Sequence, residues 1–289
     1  MMRITTTVSG LIATCSLGVM ACSSPKPAPT HSLELTEYGL IADVEIGREN
    51  PHIYRMILDT GAEMSVLNSA GELPEDLELV QEVNVAGNTA ARTRSGVYRT
   101  GYLGVAGFDF DQALILAIDL SNRPGPFING IDGILSPQII ASGYLEINFS
   151  TSAIQIHQTV DESWGEPTPF SEGSLPVAII DVAGRAVTVT LDSGARDLLM
   201  LPAAMAEDLP LEAPPLVSGG IATVTDEVEV SNATLDGEMV IGGQVYSRPE
   251  LNFASDIDQP LMGIRGLTSF RLIMDSVGKR SWLILADTE

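Results

Sequence analysis

Two short motifs in the sequence place an aspartate after an apolar run and before a small hydroxyl residue, a glycine and an alanine. They are Asp59-Thr60-Gly61-Ala62 and Asp192-Ser193-Gly194-Ala195. A single carboxylate buried at the end of an apolar strand is costly unless another group compensates for its charge. Two carboxyl groups held side by side can instead share one proton, and such a pair can act as general acid and general base in one reaction. The motifs therefore indicate acid–base chemistry if the fold brings them together.

Each motif alone also has a purely structural interpretation. An aspartate before glycine commonly forms a turn, in which the carboxylate accepts hydrogen bonds from nearby backbone N–H groups and the glycine takes a positive φ. Three features favour the chemical interpretation. Both motifs end an apolar run, both continue to alanine, and both occupy the same position in a repeated module.

The repeat is visible as two pairs of aligned segments. These are Ala42–Ala62 with Ala178–Ala195, and Ile131–Ile156 with Leu261–Leu285. The spacing within the copies also agrees, since 74 residues separate Asp59 from Gly133 and 71 separate Asp192 from Gly263. Self-similarity of this kind indicates two copies of one structural module. We therefore predict that Asp192 is the partner of Asp59.

The pattern of apolar residues predicts an all-β protein. Short apolar runs rich in Val, Ile and Thr are separated by Gly, Asn, Asp and Pro, whereas helical periodicity is scarce. The polar stretch 158–175 is rich in Pro and Gly and is predicted to be a linker. The predicted organisation is a first lobe at 34–157 and a second lobe at 176–289.

The N-terminal residues are predicted to target the chain rather than to fold. Residues 1–21 contain Arg3 and then an apolar stretch that is too short to span a bilayer and has the form of a signal peptide. The segment Val19–Cys22 resembles the lipobox of bacterial lipoproteins, in which the cysteine carries the lipid. An ordinary cleaved signal with a chance cysteine is the alternative. Residues 22–33 are rich in Pro and Ser, as expected of a flexible tether.

Composition argues against several other kinds of site. With Cys15 removed and Cys22 lipidated, the folded part has no thiol for a disulfide, a metal site or a nucleophile. The three histidines are far apart in sequence, which gives little support to a zinc site or a Ser-His-Asp triad. The net charge of -23 disfavours binding to nucleic acid or to an anionic bilayer surface. We therefore expect no metal and no cofactor, and membrane contact through the lipid alone.

At the two aspartate motifs the sequence resembles the pepsin–retropepsin superfamily of aspartic proteases, and it is most similar to small bacterial retropepsin-like members with two tandem lobes. The resemblance covers nearly the whole chain after the signal. It includes Ile131-Asp132-Gly133 and Leu261-Met262-Gly263. The family fold implies two pseudo-twofold-related, β-barrel-like lobes with a central cleft, where Asp59 and Asp192 meet at the floor. It also implies that the hydroxyl groups of Thr60 and Ser193 bond across to the opposite loop.

Two glycine-containing segments are candidates for flaps that contact a substrate. Gly87 lies 28 residues after Asp59, and Gly220 lies 28 residues after Asp192. The stretch Gly219-Gly220-Ile221 looks like the tip of a retropepsin flap. Glycine-rich hairpin tips are common, so an ordinary loop is the alternative.

Four positions depart from the pepsin pattern. Ala62 and Ala195 stand where pepsins usually carry Ser or Thr, and a missing hydroxyl stabilises the ionised pair less. We therefore predict a less acidic optimum than that of pepsin, at about pH 4.5 to 6.5. Arg196 would hold Asp192 ionised if it pointed into the cleft, but solvent exposure or pairing with Asp197 is the preferred expectation. Arg265 either lines the cleft or lies on the surface of a short helix.

Three functions are compatible with these features. The first is a lipid-anchored aspartic endopeptidase of the bacterial envelope, on the outer membrane and facing the periplasm, which cleaves peptides or proteins. Because one chain holds both halves of the site, a monomer would suffice for activity. The second is a catalytically silent protein that binds peptides or envelope partners with the same fold. The third is an unrelated duplicated β protein whose two aspartate turns are structural.

Overall fold

The computed structural model describes residues 30–86, 92–121, 126–140, 143–171, 174–222 and 227–286. The predicted signal peptide, Cys22, most of the predicted tether and Gly87 lie outside these ranges. Of the described residues, 52% are in strands and 8% are helical, which confirms the predicted all-β class. No helix within these ranges is long and apolar enough to cross a membrane.

The first half of the described chain forms short strands joined by turns. These strands are β1 (His31–Ser32), β2 (Glu34–Thr36), β3 (Gly39–Ile46), β4 (His52–Leu58), β5 (Ser65–Asn68), β6 (Glu78–Ala86), β7 (Arg92–Arg99), β8 (Leu103–Val105), β9 (Phe108–Phe110), β10 (Leu114–Ile118), β11 (Gly133–Leu135), β12 (Tyr144–Asn148) and β13 (Ala153–His157). Short 3-10 helices occur at Pro126–Asn129 and Pro137–Ile139.

The second half follows the same plan. Its strands are β14 (Thr168–Pro169), β15 (Val177–Val182), β16 (Arg185–Leu191), β17 (Met200–Pro202), β18 (Leu216–Ala222), β19 (Glu227–Thr234), β20 (Glu238–Ile241), β21 (Gln244–Ser247), β22 (Glu250–Ala254), β23 (Leu261–Met262), β24 (Phe270–Asp275) and β25 (Arg280–Leu285). Its helical segments are 3-10 turns at Glu162–Trp164 and Ala203–Asp208, and the helix α1 (Ile264–Leu267).

The strand order shows that the two halves are copies of one module. In the first lobe the order is β6-β7-β10-β5-β11-β4-β3-β8-β9, and β2 adds to β3. In the second lobe it is β18-β19-β22-β17-β23-β16-β15-β20-β21. Each strand of the first path has a counterpart at the same place in the second path. The sequence repeat therefore corresponds to a repeated sheet topology.

A third sheet joins the two lobes. Its order is β1-β13-β12-β24-β25-β14, so three strands from the first half of the chain lie beside three strands from the second half, and β12 and β24 pair where the halves meet. Ile147 of β12 pairs with Leu272 of β24, and both side chains are fully buried. Burial of a Leu or Ile side chain contributes about 1.5 to 3 kcal/mol relative to exposure. This sheet therefore fixes the lobes against each other beneath the site.

The predicted linker contributes structure of its own. Within 158–175, strand β14 pairs with β25 of the joining sheet. Trp164 is buried, and its ring lies 5.4 Å from that of Trp282, centroid to centroid, in an edge-to-face arrangement. Such aromatic pairs are worth about 0.5 to 1.5 kcal/mol beyond the burial of their area. The segment is therefore packed against the second lobe.

Candidate active site

Each motif aspartate stands at the end of a buried strand and beside a parallel neighbour. Asp59 follows β4, and its backbone N–H donates to the carbonyl of Leu135 in β11 at 3.0 Å. Asp192 follows β16, and its N–H donates to the carbonyl of Met262 in β23 at 2.9 Å. The segments Ile131-Asp132-Gly133 and Leu261-Met262-Gly263 therefore lie in or beside the strands that neighbour the aspartates.

Gly133 has to be a glycine in this arrangement. A Cβ atom built on Gly133 would lie 2.2 Å from the backbone carbonyl oxygen of Val66. Gly263 directly follows β23 and packs against backbone atoms of the second aspartate loop, where a Cβ would lie 2.7 Å from the carbonyl oxygen of Ala195. The sequence repeat aligned Gly263 with Gly133, but the strand register pairs Leu135 with Leu58 and Met262 with Leu191, so the counterpart of Gly263 in the first lobe is Ser136. Real Cβ atoms do not approach backbone this closely, so the two glycines allow the strands and the loops to pack together.

The structure brings the side chains of Asp59 and Asp192 together. A Cβ atom on Gly194 would lie 2.5 Å from Cγ of Asp59, and one on Gly61 would lie 2.5 Å from Cγ of Asp192. Each carboxyl group therefore packs on the glycine of the opposite loop. The two carboxyl groups are therefore close enough for each to affect the ionisation of the other. Any side chain at Gly61 or Gly194 would push them apart.

Two buried hydroxyl groups tie the aspartate loops together. Thr60 Oγ1 donates to the carbonyl of Leu191 at 2.6 Å and accepts from the N–H of Ser193 at 3.0 Å. Ser193 Oγ donates to the carbonyl of Leu58 at 2.6 Å and accepts from the N–H of Thr60 at 3.0 Å. Both residues are 0% exposed. The four bonds form a reciprocal network that sets the distance between the loops below the carboxyl groups.

Backbone N–H groups orient both carboxylates. The N–H of Gly61 donates to Asp59 Oδ1 at 2.8 Å. Asp192 Oδ1 accepts from the N–H groups of Gly194 at 3.0 Å and Ala195 at 3.1 Å. Hydrogen bonds of this kind favour the ionised form of the carboxyl group that accepts them. Asp192 has the more favourable set of donors for carrying the charge.

Burial raises the pKa of both aspartates. For Asp59, burial comes first and the neighbouring charge of Asp192 second, and together they raise its pKa well above the ordinary value of 3.8. Burial also raises the pKa of Asp192, but the hydrogen bonds from Asp59, Ala195 and Gly194 oppose this rise. Two adjacent carboxyl groups cannot both ionise without a large electrostatic cost. The pair therefore holds one proton, and the two backbone N–H donors at Asp192 favour the negative charge on that residue.

Ala62 and Ala195, the fourth residues of the two motifs, accept hydrogen bonds through their backbone carbonyl groups. The carbonyl of Ala62 accepts from Ser136 Oγ at 2.7 Å, and the carbonyl of Ala195 accepts from the N–H of Ile264 at 2.8 Å. Ser136 is 1% exposed, and its own N–H donates to Ser65 Oγ at 3.0 Å. Sequence reasoning missed these two serines. The one indication in the sequence was the position of Ser136, which follows Gly133 by three residues and therefore lies close to the first aspartate loop.

Arg196 does not point at the carboxyl pair. Its guanidinium group stacks on Tyr38, with Cζ 4.5 Å from the ring centroid, and Nη2 lies 3.5 Å from Oε2 of Glu37. The expectation of solvent exposure is met in part, because the side chain is 53% exposed. Of the two alternatives expected for Arg196, solvent exposure or pairing with Asp197, the structure favours exposure, and the carboxylate that its guanidinium group approaches is Glu37 in the turn of the other lobe. The reason for expecting a silenced site is thereby weakened.

The carboxylate of Asp197 instead forms a hydrogen bond within its own lobe. Its carboxylate accepts a hydrogen bond from Asn252 Nδ2. Burial raises the pKa of Asp197, while that bond and the charges of Arg265 and Arg196 oppose the rise. Arg265 lies in α1 and is exposed, so of its two expected placements the structure favours the surface of a short helix. Its charge acts on Asp197 from there.

The predicted flap residues of the second lobe lie within a strand and not where the sequence predicted them, at the tip of a hairpin. Gly219 and Gly220 lie inside strand β18, opposite Val230 and Glu229 of β19, and Ile221 also belongs to this strand. All three residues lie within the paired strand, and the residues that connect β18 to β19 lie outside the described ranges. The strand register shifts between Val217 and Gly219, and Gly219 has a φ of 150°. The glycine therefore serves a β-bulge rather than a turn.

Metal ligands are not grouped in the part of the chain that the structure describes. There, no cluster of three or more His, Cys, Asp or Glu residues is placed to hold a metal ion.

Comparison with known proteins identifies the fold. No family model matches the sequence, and no curated protein matches it. Among solved structures, the chain is similar to the crystal structure of an aspartic proteinase from Irpex lacteus, with a TM-score of 0.59 at 12% sequence identity. The match covers 90% of this chain and 98% of that chain. It shows the predicted fold, two pseudo-twofold-related, β-barrel-like lobes with a central cleft, and at this identity it carries the fold alone.

Proposed function

We propose that this chain is an aspartic endopeptidase in which Asp59 and Asp192 activate a water molecule for peptide hydrolysis. The observation that carries this proposal is the reciprocal packing of the two carboxyl groups, one from each lobe. The aspartic proteinase fold supports it independently. Two aspartates that serve only as turns would have no reason to face each other across the lobes.

The proposed mechanism uses the one proton that the pair holds. The carboxylate of Asp192 takes a proton from the water, which attacks the scissile carbonyl carbon, while protonated Asp59 donates to the carbonyl oxygen. In the collapse of the resulting tetrahedral diol, Asp192 donates the proton that it took from water to the amide nitrogen, and Asp59 takes a proton back from a diol hydroxyl group. The C–N bond then breaks, the amine and the carboxylic acid leave, and the pair again holds one proton. No covalent enzyme intermediate is required. The chain supplies the acid, the base and their spacing.

Hydrolysis of casein or of a mixed peptide library tests this proposal. We expect the purified full chain to cleave internal peptide bonds, and we expect a statine-type peptide to block the cleavage because its hydroxyl mimics the tetrahedral diol. Binding of the same peptides without turnover would favour the silent binding protein. Cleavage that statine does not block would contradict the proposed mechanism.

Activity and stability are both expected to depend on the proton of Asp59. Peptide hydrolysis should fall as pH rises through the raised pKa of Asp59, because the acid is then lost. The folded chain retains this proton above the ordinary value of 3.8, at which an unfolded aspartate releases it. The free energy of unfolding should therefore decrease as pH rises from that value through the raised pKa.

Urea unfolding across this pH range measures the effect. Asp59→Asn removes the titrating group, so its stability should depend less on pH than that of the wild type, whereas the exposed Asp258→Asn should follow the wild type. Equal pH dependence in Asp59→Asn and the wild type would contradict the account.

We also propose that Cys22 carries a lipid that anchors the chain to the outer membrane, facing the periplasm. The support is the lipobox-like segment that ends at Cys22. In a Gram-negative host supplied with labelled palmitate, we expect the full chain to incorporate label, and Cys22→Ala to lose it. Cys15→Ala is the matched control and should keep the label. Labelling of Cys22→Ala, or no labelling of the wild type, would contradict the anchor.

A further inference from the structure

Arg196 forms a charged contact between the lobes directly after the second aspartate motif. Glu37 and Tyr38, its partners, belong to the turn between β2 and β3 of the first lobe. Both charged side chains are open to solvent, with 53% of Arg196 and 73% of Glu37 exposed. The contact therefore holds the guanidinium group of Arg196 in place and leaves it accessible to a ligand from solvent.

The turn is fixed against the aspartate loop by its backbone. Gly39 has a φ of 117°, and a Cβ atom there would lie 3.0 Å from the carbonyl oxygen of Ser193. Tyr38 is held at its other end, where its hydroxyl oxygen accepts from Asn129 Nδ2 at 2.6 Å. The aromatic face on which Arg196 stacks is thus anchored beside the carboxyl pair.

The guanidinium group has unused capacity for an anion. Arginine presents five N–H donors in a planar fork that matches a carboxylate. Among the described residues, the polar contact of the Arg196 side chain is the single 3.5 Å approach of Glu37. An exposed ion pair of this kind is worth about 0 to 1 kcal/mol. A second carboxylate that binds with both oxygens would compete well, because bidentate pairs are the stronger ones.

The length of the intervening chain limits how far Arg196 can lie from Asp192. Arg196 follows Asp192 by four residues, so their Cα atoms are at most about 14 Å apart. An extended peptide advances about 3.3 Å per residue. Side chains two to four residues from the bond that is cleaved therefore come within reach of the guanidinium group.

We propose that Arg196 is a specificity-determining residue that binds an Asp or Glu side chain of the substrate, two to four residues from the scissile bond. This inference rests on the proposed peptidase function and names its substrate class. The carboxylate of the substrate replaces Glu37 on the guanidinium fork, while Tyr38 keeps the fork in place. Because the chain has 38 acidic and 15 basic residues, its overall field does not favour acidic peptides. A preference for them would therefore identify a local contact.

Matched peptides that differ only in Glu against Gln at one position provide the test. For the full-length wild type we expect kcat/KM to be about tenfold higher with Glu at one of the positions two to four residues from the cleaved bond. Arg196→Gln should bring this ratio close to one, and Arg196→Glu should favour a Lys peptide at the same position. Arg185→Gln, which changes an exposed arginine in the second lobe, should keep the ratio of the wild type.

The outcomes separate this inference from the proposed function. Cleavage without a Glu preference, or a preference that survives in Arg196→Gln, would contradict the specificity role alone. If no peptide is cleaved by the wild type, the proposed function fails and this inference fails with it. Glu37→Gln adds a second measurement, since removal of the competing carboxylate should raise kcat/KM for the Glu peptide.

Discussion

Replacement of either motif aspartate by asparagine is expected to lower kcat/KM for peptide hydrolysis by at least about 1000-fold, because each variant removes one half of an acid–base pair. Asparagine has nearly the same shape as aspartate and keeps an oxygen for the backbone N–H donors at Gly61 and Gly194. The change therefore acts on the proton and not on the packing. Asp59→Asn lacks the proposed acid, and Asp192→Asn lacks the proposed base.

Initial rates on one internally quenched peptide measure this prediction. Circular dichroism and urea unfolding check that both variants stay folded, and Asp258→Asn controls for the loss of an exposed negative charge. Because the two carboxyl groups act as a unit, the double variant should be about as inactive as each single variant. A folded Asp59→Asn or Asp192→Asn chain with activity near that of the wild type would contradict the mechanism.

Loss of the buried hydroxyl groups is expected to cost stability as well as activity. Ser193→Ala leaves the N–H of Thr60 and the carbonyl of Leu58 without the bonds at 3.0 and 2.6 Å. An unsatisfied buried polar group costs about 1 to 3 kcal/mol, so the expected loss for the two groups is about 2 to 6 kcal/mol. Thr60→Val keeps the shape and should cost a similar amount, because it leaves the N–H of Ser193 and the carbonyl of Leu191 unpaired.

The free energy of unfolding from urea titrations tests the network. Thr268→Val is the matched control, since it removes an exposed threonine hydroxyl that donates to the carbonyl of Arg265 at 3.3 Å, and it should change stability by less than about 0.5 kcal/mol. Activity should fall together with stability in the buried variants, because the network sets the carboxyl spacing. Buried variants as stable as Thr268→Val would show that the four bonds do not hold the loops together.

The pairing of the aspartates was predictable because a duplication preserves position as well as residue type. Leu58 of β4 pairs with Leu135, and Leu191 of β16 pairs with Met262, so the residues that directly precede the two aspartates lie beside equivalent strands. A motif that recurs at the same point of two like modules meets its copy when the modules pack face to face. The all-β class followed from the same strands, whose apolar runs are short and rich in β-branched residues.

Other features depend on contacts that no local pattern encodes. The partner of Arg196 is Glu37, which lies far away in sequence, and both side chains meet only after the lobes have packed. Composition predicted a linker at 158–175, but the burial of Trp164 depends on Trp282 in the joining sheet. Gly219 was predicted to lie at a hairpin tip, but glycine is common in both turns and β-bulges. Only the strand register, which shifts between Val217 and Gly219, distinguishes the two.

The most direct test of the central claim is a crystal structure of the full chain with a statine-type peptide bound. We predict that the statine hydroxyl lies within hydrogen-bonding distance of carboxyl oxygens from both Asp59 and Asp192, between the two lobes. A structure in which these carboxyl groups lie far apart, or in which the inhibitor binds away from them, would contradict it.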